Sequence, residues 1–381
     1  MFPRLALRKW DEDVVPGKVL VLYGARQVGK TTLIRARLAD RQGRVFSGTG
    51  EDAVLKRLLE SRDLERIKSS FAGYETVFID EAQLVEGVGW SLKMLVDARP
   101  DLRIIATGSS SFELSHQVGE PLTGRSRRQW LFPLSAAELA ESWGPVGLDQ
   151  RLESLLVFGC YPAVVSAEVA QEKVRLLTEL ADAYLFKDIL VLEKVKGATV
   201  LTNLLRLLAY QIGHEVSVSE LAGGLGIAKQ TVERYLDLLE KAFVIVRVGG
   251  YSRNLRNEVT KTSRYYFWDT GIRNAVIRNF NALDLRDDVG ALWENYLFME
   301  RWKALEYSGR RVNRFFWRTY ERQEIDLVEE ADGALAGFEF KWSPKTVKQP
   351  SQWPAAYPEA TWRVVHRENW HSFVLGEKGL P

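Results

Sequence analysis

Gly24, Ala25, Arg26, Gln27, Val28, Gly29, Lys30 and Thr31 follow one another with the spacing G-x-x-x-x-G-K-T. Two glycines let such a loop turn tightly and aim backbone N–H groups inward, where a following helix N-terminus helps them cradle phosphate oxygens. Lys30 would then reach the β- and γ-phosphates of ATP, the Thr31 hydroxyl would ligate Mg²⁺, and Thr32 completes the nucleotide-binding stretch. A chance glycine loop is the competing reading, and the elements on either side decide against it.

Before the loop, Val19 to Tyr23 is a β-branched and aromatic run that reads as a strand. From Thr31 onward the pattern is helical. Val77, Phe78 and Ile79 form a second buried strand that delivers Asp80 and Glu81 at its carboxyl end, where open α/β sheets bind ligands. Asp80 suits the Mg²⁺ shell and Glu81 suits polarisation of an attacking water, which is a hydrolytic arrangement. A third strand ends in Thr107, Gly108, Ser109 and Ser110, with Ser109 either a sensor of the γ-phosphate or a turn residue. Arg125, grouped with Arg127 and Arg128, is the candidate arginine finger, supplied within the chain or by a neighbour, against the alternative of solvated surface.

A second set of chemical residues lies near the other end, in EIDLVEEADGALAGFEFKW. Side chains alternate along a strand, so Glu339 and Lys341 share a face, with Asp326 on the neighbouring strand and Glu294 on the amphipathic helix before it. Glu294, Asp326 and Glu339 would offer hard oxygens to Mg²⁺. Asp326, Glu339 and Lys341 would then activate water against a phosphodiester. Cross-strand acid and lysine pairs also stabilise ordinary sheets. Arg310, Arg311, Arg314, Arg318 and Arg322 beside Phe315, Phe316 and Trp317 read as a phosphodiester-binding patch, or the aromatics as core.

Between the two sets, residues 146–198 are helix-periodic with breaks at Gly159 and Pro162, and read as a connector or lid. Asp188 is either functional or a cap. Residues 199–255 read as a winged helix-turn-helix whose second helix would offer Lys229, Gln230 and Arg234 to DNA, with Glu233 and Asp237 opposing. Such modules also pack against protein. Arg253, Arg256, Lys261 and Arg264 would track a phosphate backbone or form a solvated loop.

GARQVGKTTL, VFIDEAQ, ATGSSSFEL, GRSRRQWLFPLS and GCYPAVV together resemble the prokaryotic AAA-superfamily ATPases that carry an uncharacterised C-terminal domain, over most of the chain. The resemblance implies an Mg-dependent, ATP-hydrolysing protein with a C-terminal domain similar to endonucleases at the fold level. Glu294, Asp326, Glu339 and Lys341 stand at matching positions.

Composition bounds the rest. A lone cysteine, Cys160, cannot pair within the chain, and 4 histidines without ligand spacing argue against zinc. No apolar run suits a membrane span, so a cytoplasmic protein is expected, and a net charge of +2 leaves any nucleic-acid footprint to local patches. The expected class is α/β: a P-loop NTPase parallel sheet (1–145), a helical connector (146–198), a winged helix-turn-helix (199–255) and an α/β endonuclease-like domain (256–381). Candidate partners are DNA or RNA, a protein, or a second copy of the chain. Three functions fit: an ATP-gated nuclease, an ATP switch that binds nucleic acid without cutting, and a protein-remodelling ATPase.

Overall fold

The computed structural model describes residues 2–109, 121–182, 198–252 and 263–376. Ser110, Asp188, Arg253, Arg256 and Lys261 lie outside the described residues. The chain is a mixed α/β structure that divides into two compact units, Arg4–Pro133 with Lys241–Phe243, and Met1–Pro3 with Leu134–Glu240 and Val244–Pro381.

The first unit is built on a parallel sheet of β1 (Val19–Tyr23), β2 (Val45–Thr49), β3 (Thr76–Asp80), β4 (Arg103–Gly108) and β5 (Ser126–Trp130), in the order β2-β3-β4-β1-β5. Parallel strands covered on both faces read as unbroken apolar runs, and every residue of β1 and β3 is buried. The helices Lys30–Ala39, Ala53–Glu60, Leu64–Ser70 and Val88–Ala98 connect the strands. Local sequence sets their starts: Asp52 accepts from the N–H groups of Val54 (2.7 Å) and Leu55 (3.0 Å), and Asp63 from that of Arg66 (3.1 Å). The carboxyl ends of β1, β3 and β4 lie side by side.

The second unit takes in the helical segment Ala136–Phe158, which is broken at Gly144 (φ 71°, ψ 164°) ahead of Pro145, and the compact division falls at Pro133, before the expected boundary at 145. The helix start is held inside this unit. Ser135 and Glu138 form a reciprocal cap, the Ala136 N–H donates to Glu300 (2.5 Å), and Lys303 donates to the Leu134 carbonyl (3.1 Å) and to Glu300 (2.6 Å). The helices Ala170–Asp182, Ala198–Tyr210, Val218–Leu225 and Lys229–Lys241 follow. Then comes a three-stranded antiparallel sheet of β6 (Glu215–Val216), β8 (Ser263–Phe267) and β7 (Ile245–Gly249) in that order. Because β8 pairs with β7, the expected boundary at 255 would cut this sheet in two.

After the helices Thr270–Ile277 and Val289–Ser308, β9 (Asn313–Arg318), β10 (Glu324–Ala331), β11 (Ala334–Phe340) and β12 (Thr361–Val365) form a sheet in the order β12-β11-β10-β9. Trp317, Ile325, Val328, Trp353 and Tyr357 pack as its core, with Phe315 against them, so these aromatics serve packing. Among the described residues no helix is long and apolar enough to cross a membrane.

Candidate functional site

In the first unit the loop between β1 and the helix Lys30–Ala39 has the geometry that its glycines permit. A Cβ at Gly24 would lie 2.1 Å from the Leu131 carbonyl oxygen, so only glycine fits there, and Gly29 takes a left-handed φ of 96° at the helix N-cap. Gln27 also lies at positive φ (58°). Arg4 braces the loop from outside it, donating to the carbonyls of Val28 (2.7 Å) and Phe132 (2.5 Å). Lys30 folds back over the loop and donates to the carbonyls of Gly24 (2.8 Å) and Ala25 (2.8 Å). Burial pulls its ammonium down to about 8, against the pull of Glu81 and Asp80 in the other direction.

The acids at the end of β3 meet this loop. Thr31 donates its hydroxyl to Asp80 at 2.8 Å, and the Thr107 hydroxyl, from β4, donates to the other Asp80 oxygen. Glu81 sits in the left-handed region (φ 47°), with its N–H 3.3 Å from the Thr107 hydroxyl. Such a conformation is uncommon for a non-glycine residue and clusters at functional sites. Gln83 donates to the Glu81 carboxylate and to the Ser109 hydroxyl (3.1 Å), tying the ends of β3 and β4 together. Lys30, Thr31, Asp80, Glu81 and Ser109 are thus brought to one place, with Arg4 and Gln83 as participants that sequence reading missed.

Arg125 is not part of this assembly. It precedes β5 at the end where Val19 begins β1, its carbonyl accepting from the Val19 N–H (2.9 Å), and its guanidinium pairs with Asp97 (2.6 Å). The loop leaves β1 at the opposite end, about 13 Å along the strand at its usual rise. Arg125 therefore cannot serve as a finger to the site of its own chain.

In the second unit the predicted acidic residues also converge. Glu294 lies on the helix Val289–Ser308, which is anchored to β10 by the two-pronged pair of Arg301 with Glu329 (2.7 and 2.8 Å). Asn295 anchors the same helix to β8 by exchanging hydrogen bonds with the Phe267 backbone (2.7 and 2.8 Å). The β9–β10 pairing slips between Ile325 and Val328, a bulge that lets both reach the core while Asp326 between them faces the acids. Asp326 accepts from the Phe340 N–H (2.8 Å), and Lys341 donates to Glu339 (2.6 Å).

At the centre of this cluster stands Arg264. Its side chain, 3% exposed, lies 3.4 Å from Glu294, 3.5 Å from Asp326 and 2.5 Å from Glu324. Sequence reading placed it on a loop that tracks phosphate or meets solvent. Instead, β8 carries it inward, over the Phe316 ring at 4.8 Å. Burial pushes the Glu294 carboxyl up to about 8, with Asp326 adding to the rise and Arg264 opposing it; burial and then Asp326 push Glu339 up to about 7. Burial alone would lower Lys341, but the hydrogen bond to Glu339 and the surrounding acids hold it above its ordinary value.

The expected three-carboxylate metal site is therefore not what these residues form. Among the described residues no group of three acid, histidine or cysteine side chains is arranged to hold a metal ion. A guanidinium already stands among the acids and offsets part of their charge.

The basic patch is also dispersed. Arg314 stacks over Trp302 (3.6 Å) and Arg318 pairs with Glu215, while Arg310, Arg311 and Arg322 are exposed. On the helix Lys229–Lys241, Lys229, Gln230 and Arg234 are exposed beside the equally exposed Glu233 and Asp237.

Residues 16–140 match a family model described as an AAA domain. Residues 149–283 and 289–370 match two models each described as a domain of unknown function (DUF8612 and DUF4143). An uncharacterised protein of Mycobacterium tuberculosis (strain ATCC 25618 / H37Rv) is 29% identical over 327 residues, which cover 85% of this chain and 70% of the relative. An uncharacterised protein of Methanocaldococcus jannaschii is 23% identical over 314 residues, 77% of this chain and 68% of the relative. Among solved structures, a signal transduction ATPase with a tetratricopeptide repeat sensor from Pyrococcus horikoshii aligns over 79% of this chain and 46% of its own, at 13% identity and a TM-score of 0.27. The family match and the loop it contains make the first unit an AAA-type P-loop domain, ATPase-like in its general function.

Proposed function

We propose that the chain is an Mg-dependent ATPase whose nucleotide state is coupled to nucleic-acid binding by the second unit. One observation supports hydrolysis over mere nucleotide storage: Asp80 is bonded to Thr31 while the adjacent Glu81 is fixed by Gln83 and the Thr107 hydroxyl. Thr31 and Asp80 offer hard oxygens that fit Mg²⁺, which when bound with ATP would neutralise charge developing on the phosphates. Lys30 would exchange the carbonyls of Gly24 and Ala25 for phosphate oxygens, and the N–H groups of residues 24–32 would hold the rest. Glu81 would orient the attacking water and take its proton.

For the second unit, the order of helices and the sheet β6-β8-β7 support a winged helix-turn-helix, with Lys229, Gln230 and Arg234 free to reach a phosphate backbone. The helix Val289–Ser308 followed by β9, β10 and β11 supports an endonuclease-like fold. Arg264 among its acids favours a domain that binds without cutting, and a protein partner remains the alternative cargo.

The test is ATP turnover by the purified chain with and without a panel of single- and double-stranded DNA and RNA, with breakage followed in parallel beside Asp326→Ala. Stimulated turnover without breakage is the expected result. Breakage lost in Asp326→Ala would establish a nuclease instead, and unstimulated turnover would direct the search to a protein.

A further inference from the structure

We propose that the Arg264 guanidinium is the resident cation of the C-terminal carboxylate cluster, filling the place of a divalent metal, so that the intact chain takes no metal there and gains a metal site only when this arginine is removed. Arg264 Nη1 lies 3.4 Å from Glu294 Oε1 and 3.5 Å from Asp326 Oδ1. A divalent cation shared by those two carboxylates would have to approach this nitrogen, which already lies beside both, against its positive charge.

The arginine is not free to leave. It sits inside β8, where the ladder pairs it with Glu215 of β6 on one side and Val248 of β7 on the other. Its second nitrogen, Nη2, is held by Glu324 at 2.5 Å, and the Phe316 ring lies against its face. Swinging the side chain out would leave buried acids without a counter-charge.

The acids are also engaged elsewhere. The Tyr266 hydroxyl donates to Glu294 (2.7 Å), the Phe340 N–H to Asp326 (2.8 Å) and the Lys341 ammonium to Glu339 (2.6 Å). Each of the four acids thus has a donor from Arg264, Tyr266, the Phe340 N–H or Lys341, where a metal would otherwise be required, while the Arg264 Nε is left without a hydrogen-bond partner among the described residues. The same guanidinium ties the three-stranded sheet to β10, beside the backbone link from the Tyr251 N–H to the Phe316 carbonyl (2.6 Å). Arg264 thus replaces a catalytic ion with a structural clasp.

This inference takes the position of the metal from the endonuclease-like reading and is independent of ATP hydrolysis, so the two fail separately. The experiment is a Mn²⁺ titration of the nucleotide-free full chain, read by the electron paramagnetic resonance signal of free Mn²⁺. The variants are Asp326→Asn, Arg264→Ala and Arg264→Ala with Asp326→Asn. Wild type and Asp326→Asn are expected to bind Mn²⁺ alike, while Arg264→Ala gains one bound ion that the double variant loses. A wild-type ion lost in Asp326→Asn overturns the proposal, and that comparison needs no arginine variant to fold. A folded Arg264→Ala, checked by its circular dichroism, that gains nothing also overturns it.

Discussion

The molecule has two acidic sites that begin from similar materials and end in opposite electrostatic states. At the end of β3, Asp80 is engaged by hydroxyl and backbone donors, from Thr31, Thr107 and the Glu81 N–H, and among the described residues no positive group is bonded to it. Hydroxyls orient a carboxylate without cancelling its charge, so a cation arriving with ATP still has something to bind. In the second unit, Glu294, Asp326 and Glu324 surround Arg264, which cancels charge and occupies space. What separates an open site from a closed one here is the type of donor, since both have acids at strand ends or on neighbouring elements.

The largest effect that would sharpen this contrast is on stability. Arg264→Ala would strand buried carboxylates, and losing one partner of such a cluster costs about 3–5 kcal/mol. Calorimetry should show it as a lowered melting transition of the second unit with the transition of the first unit unchanged. Next comes Lys30→Ala, which removes the cation that the open site itself supplies. ATP hydrolysis should fall by about 10²–10³-fold, the cost of removing one preorganised donor to a charged transition state.

Arg4→Ala is a smaller perturbation of the same site. Charge-assisted bonds to the Val28 and Phe132 carbonyls are lost, worth about 1.5–3 kcal/mol of stability, so the melting of the first unit should fall by several degrees and weaker ATP binding should appear in a fluorescent-nucleotide titration. Arg125→Ala should change turnover least, within about twofold, as for surface substitutions in general. A drop of about 10³-fold or more would mean that a neighbouring copy supplies this arginine to the site.

The open site was legible in the sequence because its chemistry is local. Gly24 to Thr32 are contiguous, and the apolar run before Asp80 marks a strand end. Arg4 was not legible, since its partners lie 24 and 128 residues away and a lone arginine near the start carries no pattern. Gln83, only two residues from Glu81, could have been found in VFIDEAQ as an amide placed to hold the acid.

The closed site was legible only in part. Strand alternation correctly put Glu339 and Lys341 together, and the helix delivered Glu294. Arg264 is 30 residues from Glu294 and 60 from Glu324, and its basic neighbours in sequence suggested a surface run. The signal present was its place in SRYYF, a strand whose residues are all buried and where a charge needs a partner. Without that partner, the acids read as metal ligands.

Under the proposed function, Glu81 is the residue that would turn nucleotide binding into hydrolysis. Glu81→Gln keeps the size of the side chain and removes its basicity, so ATP affinity and steady-state turnover should be measured side by side on this variant and the wild type. Retained affinity with turnover lowered by about 10²–10⁴-fold is the predicted result. Turnover at the wild-type rate would contradict it.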